Sequence, residues 1–156
     1  MEIAIDSSVL VALLVPNDVW HSQAVNLWEA VKAAGCIGIF FDCVAAEAVS
    51  AAVRRLHEKG LTAEVQALLH RLNVQVPLDA VTWILPDVPH LYPQVLDLIR
   101  TSSGELNFND ALIALACRER GIPAIASFDA DFDRIIWLKR VAEPADVEPT
   151  HEKAGD

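Results

Sequence analysis

The sequence predicts an α/β protein whose helices flank a mainly parallel central sheet. Three observations carry that expectation. Short apolar runs at residues 3–5, 36–41 and 123–127 alternate with longer segments of helical period. The runs are separated by stretches too long for hairpin turns, as parallel strands require. The first two end on an acid, Asp6 and Asp42, and the third is followed closely by Asp129. In open parallel sheets ligands bind beyond the carboxyl ends of strands, so these acids are placed where chemistry is expected.

Each element has a local reason. Residues 7–15, SSVLVALLV, begin with good N-caps, are apolar on nearly all sides and stop at Pro16, which predicts a buried helix. Residues 21–34 are amphipathic, with Ala24, Leu27, Trp28 and Val31 on one face and Gly35 closing the segment. Residues 43–59 form a helix ended by Gly60, and 61–72 a second, giving a helical hairpin. The stretch 73–93 holds strand-like runs at 74–76 and 81–85 among four prolines, and 81–85 is the preferred sheet strand. Helix is expected at 94–101, a turn at 102–105, and helix at 110–120 up to Gly121. An acid-rich loop or short helix at 128–134 leads to a last strand at 135–138. The domain is expected to span 1–141, followed by a flexible acidic tail at 142–156.

Bulk composition narrows the class. With 156 residues, 53% of them hydrophobic, the chain can bury one ordinary domain core. The start, MEIAID, lacks the basic lead-in of a signal peptide, and no apolar run suits a bilayer span. The three cysteines show no CxxC spacing, so a cytoplasmic location without disulfides is expected. Net charge is -10, which speaks against a broad basic face. The tail from Glu143 holds five of the acids and one Lys, however, so a nucleic-acid partner is not excluded. The candidate phosphate contacts are Arg54, Arg55, Lys59, Arg71, Lys139 and Arg140.

The acids each have a plain reading and a functional one. Asp6 could cap the helix it opens. Glu47 lies at the edge of an apolar helical arc, on a stripe with Arg54 and Glu58, as a solvated side chain would. Asp110 stands before ALIALAC, where a buried carboxylate must be capped, paired or metal-bound. Asp129, Asp131 and Asp133 alternate as in a calcium loop, but Arg134 and Arg140 stand where that loop needs Gly and Glu. Taken together, Asp6, Glu47, Asp110 and Asp129 come from strand ends, a helix edge and a helix start, which a parallel sheet can bring to one rim. Clustered carboxylates repel unless a cation joins them. Oxygen ligands without His or Cys favour Mg²⁺ or Mn²⁺, a combination suited to phosphodiester hydrolysis. Phosphate-loop, dinucleotide and nucleophile-elbow motifs are absent, and the five His are not spaced as metal pairs. A dehalogenase-type phosphatase would need an acid two residues after Asp6, where Ser8 stands.

Three segments, IAIDSSVLVALL, CVAAEAVSAAVRRL and LNFNDALIALACRERGIPAIASFDADFDRI, occur in an order that resembles the PIN-domain family, in particular its VapC-like ribonuclease toxins. The resemblance runs from Ile3 to about Ile136, loosely in the middle. It implies a PIN-like three-layer fold and a Mg²⁺- or Mn²⁺-dependent endoribonuclease, the toxin of a type II toxin–antitoxin pair. The family's four acids fall on Asp6, Glu47, Asp110 and Asp129, as catalytic and metal-binding residues. Its small hydroxyl residue falls on Ser127, with Asp131 and Asn109 as supporting positions. It also implies an RNA substrate, a cognate antitoxin, and a homodimer, for which the 43–72 hairpin is the expected face. The competing expectation is a non-catalytic PIN-fold module whose acids dock a partner through metal.

Overall fold

The computed structural model describes residues 1–148. Five parallel strands form one sheet in the order β3-β2-β1-β4-β5: β1 (Glu2–Ile5), β2 (Ile37–Phe41), β3 (Val81–Thr82), β4 (Ala124–Ala126) and β5 (Lys139–Val141). The helices are α1 (Ser7–Leu14), α2 (His21–Ala33), α3 (Asp42–Glu58), α4 (Val65–Gln75), α5 (Val88–Thr101) and α6 (Phe108–Arg120). Right-handed crossovers put the β1–β2 and β2–β3 connections on one face and the β3–β4 connection on the other. The packing agrees: α1 lies against α2, α3 and α4, whereas α5 lies against α6. The expected three-layer architecture is therefore present. Among the described residues no helix is long and apolar enough to cross a membrane.

Apolar residues fill both inter-layer spaces. Ile3, Ala4 and Ile5 of the central strand are buried, as are Val9, Leu10, Val11, Ala12 and Leu14 of α1. In α6 every residue from Ala111 to Cys117 is buried, which explains why its sequence shows no polar face. The helix stops at Gly121, whose φ of 67° is a left-handed cap that glycine adopts without a Cβ penalty. All three cysteines are free and buried. Burial pushes the Cys43 and Cys117 thiols up to about 12, so both behave as small apolar groups.

Three expectations need correction. The last strand is β5 at Lys139–Val141, not 135–138. Ile135 and Leu138 are buried while Ile136 is 96% exposed, and the Leu138 N–H donates to the Ile135 carbonyl at 3.1 Å. That is the three-residue spacing of a turn, not the alternation of a strand. The strand expected at 81–85 is only two residues long. The buried Asp42 carboxylate captures the Ile84 and Leu85 N–H groups, both at 3.1 Å, and so withdraws them from the sheet. Asp42 thus fixes the chain after β3 as well as standing at the start of α3. Finally, α5 begins at Val88, six residues before the expected start. Pro89 sits in the first turn, where its missing donor costs nothing, and the helix continues through Pro93.

Of the expected tail, 149–156 lie outside the described residues. Before them, Pro144–Asp146 form a 3-10 turn, and the Asp146 carboxylate accepts from the Ala142 and Glu143 N–H groups. Gln23 of α2 donates to the Ala142 carbonyl at 3.1 Å.

Candidate active site

The sheet order reverses at β1, because the chain moves from β1 to β2 on one side and returns to β4 on the other. The crevice past the ends of β1 and β4 is thus the topological switch point, where ligands bind in such sheets. Asp6 leaves β1 there, its N–H still bonded to the Ala126 carbonyl of β4 at 3.0 Å. Ser127 and Asp129 leave β4 beside it.

Two hydroxyls fasten the strand ends together. Ser127 is fully buried; its Oγ donates to Asp6 Oδ2 at 2.8 Å and accepts from the Asp129 N–H at 3.0 Å. Ser8 Oγ donates to the same Asp6 oxygen at 2.6 Å and accepts from the Phe128 N–H at 3.1 Å. The Ser8 N–H completes the α1 cap on Asp6 at 3.3 Å. Ser8 was read in the sequence only as a possible cap. Its signal is its place two residues after a strand-end Asp, a spacing that lets hydroxyl and backbone reach one carboxylate.

Asp110 reaches the site from the start of α6. Asn107 caps that helix in a reciprocal pair: its Oδ1 accepts from the Asp110 N–H at 3.0 Å, and Asp110 Oδ2 accepts from the Asn107 N–H at 3.2 Å. Asp110 is only 7% exposed. Burial pushes its carboxyl up to about 7; the bond from the Asn107 N–H pulls it down, and the charges of Asp6, Asp129 and Glu47 push it up. Those three charges identify the company Asp110 keeps: the expected quartet shares one electrostatic site. Glu47 in α3 is half-buried, with Asn109 Nδ2 donating to its Oε2 at 3.4 Å. Asp129 Oδ1 accepts from the Asp131 N–H at 2.9 Å, capping the 3-10 turn Ala130–Arg134. Asp131 meets the site through this backbone bond, while its carboxylate faces Arg134.

The hydrogen bonds have a common pattern. In each acid one oxygen is held: Oδ2 of Asp6 and Asp110, Oδ1 of Asp129, Oε2 of Glu47. Among the described residues the second oxygen of each has no hydrogen-bond partner, and none of these oxygens is sealed from solvent. Carboxylate oxygens left unbonded in this way are the ligand type that hard divalent cations take. The acids are near enough to repel one another, yet among the described residues no three His, Cys, Asp or Glu side chains are grouped so as to hold an ion as they stand.

Cations are sparse nearby. Arg140 Nη1 donates to the Ser127 carbonyl at 3.4 Å, and its Nε and Nη2 grip Asp133 at 2.8 Å each. The grip holds Asp133 below the usual carboxylate range. Of the other expected phosphate contacts, Arg55 pairs with Asp18, Arg71 donates to the Leu14 carbonyl and Lys139 pairs with Glu148. Among the described residues Arg54 and Lys59 form no ion pair.

Comparison with known proteins was informative at the level of family and fold. The PIN domain model matches residues 3–138. The chain is similar in structure to VapC20 of Mycobacterium tuberculosis, described as a sarcin-ricin loop cleaving toxin. The TM-score is 0.68 at 22% identity, covering 88% of this chain and 97% of that one. Comparison with curated proteins gave no match.

Proposed function

The chain belongs to the PIN-domain family, and from that premise we propose that it is a metal-dependent endoribonuclease acting as the toxin of a toxin–antitoxin pair. The observation that carries the reading is the quartet at the β1/β4 switch point, each acid with one oxygen anchored and one free. The description of VapC20 supports RNA as the substrate class. In this reading Asp6, Glu47, Asp110 and Asp129 hold Mg²⁺ or Mn²⁺ through their free oxygens. The donor set fits in chemistry, since it is all oxygen, and among the described residues the four acids would have to draw closer to share one ion. A divalent cation supplies water activation and charge neutralisation at a phosphodiester.

The chain's own residues do the positioning. Ser8 and Ser127 fix the Asp6 rotamer, and Ser127 also sets the backbone of Asp129. The Asn107 cap aims Asp110, and Asn109 steadies Glu47. Arg140 lies close enough to Asp129 for their charges to interact and is the cation best placed to meet a substrate phosphate. The homodimer belongs to the same reading, through the α3–α4 hairpin, where Leu61 and Leu69 are 38% and 40% exposed.

The test is cleavage of RNA by purified protein with Mn²⁺, with EDTA, and with Asp6→Asn and Asp110→Asn. Cleavage that needs Mn²⁺ and disappears in both variants is expected. Cleavage that persists in both would remove the quartet from the chemistry. Metal-dependent binding of RNA or protein without any cleavage would favour the non-catalytic docking module.

A further inference from the structure

Phe128 sits between the two site residues that leave β4. Its N–H is held by Ser8 Oγ at 3.1 Å, and its neighbours Ser127 and Asp129 are held in turn by the site's hydrogen bonds. The start of this ring is therefore fixed within one residue of the acids, about 3.8 Å along the chain. Trp20, just before α2, stacks on Phe128, with ring centroids 5.3 Å apart and planes inclined by 23°. The turn bearing Trp20 is pinned as well: its N–H donates to Asp18 Oδ1 at 2.9 Å, and Asp18 pairs with Arg55.

Trp20 nevertheless remains 49% exposed. One ring face lies on Phe128, so the exposed area is its other face and edge. A cover for Phe128 would need only an aliphatic side chain; a rigid, half-exposed indole is more than that role requires. Trp20 also lines an open cleft of about 300 Å³ with Asn17, Asp18, Val19, Arg55 and Lys59. An exposed aromatic plane thus rests on the ring of the residue next to Asp129 and shares a cleft with Lys59, which forms no ion pair among the described residues. Alternation of stacking face and cation is how proteins hold single-stranded nucleic acid.

We propose that Trp20, seated on Phe128, stacks an unpaired nucleobase next to the scissile phosphate, with Lys59 meeting a phosphate further along the same strand. The inference rests on the ribonuclease reading above and adds to it a subsite for single-stranded RNA. Unpaired bases are the common object of aromatic stacking in RNA recognition, because their faces are free.

The experiment uses full-length protein, Mn²⁺ and a short unstructured RNA. Trp20→Leu keeps an apolar cover on Phe128 and removes the aromatic face; Trp20→Phe keeps a smaller face. Loss of one base stack is expected to raise KM about tenfold in Trp20→Leu with kcat within about twofold, and Trp20→Phe should recover most of it. A second arm needs no variant. An abasic nucleotide beside the cleaved bond should raise KM for the wild type by a similar factor. The same abasic RNA should cost Trp20→Leu nothing further. Equal KM for wild type and Trp20→Leu, as expected if the face served a protein partner, overturns the proposal. So does the absence of any abasic position that weakens the wild type. If the wild type cleaves no RNA, the ribonuclease reading fails by itself. Fluorescence anisotropy of the labelled RNA then decides the stacking: weaker binding to Trp20→Leu supports it, and equal binding overturns it.

Discussion

Asp110→Asn should stabilise the metal-free protein, by an amount that grows as pH rises from about 4 to about 7. Asp110 has its carboxyl pushed from 3.8 to about 7, chiefly by burial. A carboxyl raised on folding favours the protonated folded state. Its contribution to stability is complete below the unfolded value near 3.8 and is lost as pH rises through about 7. At 1.36 kcal/mol per pH unit, the ionised form at pH 8 costs the fold about 4 kcal/mol, of which about 2–3 kcal/mol arises between pH 5 and pH 8. Asparagine stands in for the neutral acid, and its amide oxygen can still accept from the Asn107 N–H, so the α6 cap survives. For a domain of this size each 1 kcal/mol moves Tm by about 2–4 °C. The gain in Tm of Asp110→Asn over wild type, both in EDTA, should therefore grow by roughly 5–10 °C from pH 5 to pH 8. Comparing the two proteins at each pH cancels the titration of all other groups. Mn²⁺ at pH 8 should narrow the gap by stabilising the wild type. A Tm difference independent of pH, or a variant less stable than wild type at pH 8, would refute the account of Asp110 as a carboxylate raised by burial and by its acidic neighbours.

Other perturbations separate site from scaffold. Ser127→Ala removes the donor that fixes Asp6 and the acceptor of the Asp129 N–H; a Mn²⁺ titration of cleavage should show affinity or rate reduced about 10–100-fold, as for other outer-shell changes. Asp42→Ala orphans the Ile84 and Leu85 N–H groups and should cost about 3 kcal/mol in urea unfolding. The folded fraction of that variant should cleave at the wild-type rate, because Asp42 holds β3 and not the quartet. Gly38→Ala would place a Cβ 2.6 Å from the Trp28 ring, which also meets Phe40 edge-on; overpacking should cost about 1–3 kcal/mol, with a changed near-ultraviolet circular dichroism spectrum.

The parts of the fold that were legible in the sequence are those where local chemistry and tertiary packing agree. The runs at 3–5, 36–41 and 123–127 all hold strands, buried in β1 from Ile3 and throughout β4 but in β2 only at Phe40 and Phe41, and apolar composition is enough to mark them. α1 and α6 announce themselves through capping residues followed by continuous apolar sequence. The failures have particular causes. Residues 135–138 are apolar because three of them are needed inside, yet Ile136 points to solvent. The true edge strand carries Lys139 and Arg140, charged residues that bond Glu148, Asp146 and Asp133 and break the apolar pattern of a strand. β3 is cut short by a carboxylate 42 residues earlier in the chain, which no local window reveals. In the site, Asp6 and Asp129 could be placed from strand ends alone. Glu47, by contrast, looks like a solvated helix residue until α6 brings Asn109 to it. The double duty of Asp110, as partner in a cap and member of the quartet, follows from its position at the mouth of a buried helix.

The central position of β1 has a consequence for how the chain is made. β1 can pair with β2 early in synthesis, but its other edge stays open until residues 124–126 have been made. Asp6 is synthesised 121 residues before Ser127, which with Asp129 completes its surroundings. A nascent chain therefore carries the pieces of the centre without the centre itself. Whatever the centre does, it can do only after β4 has joined the sheet.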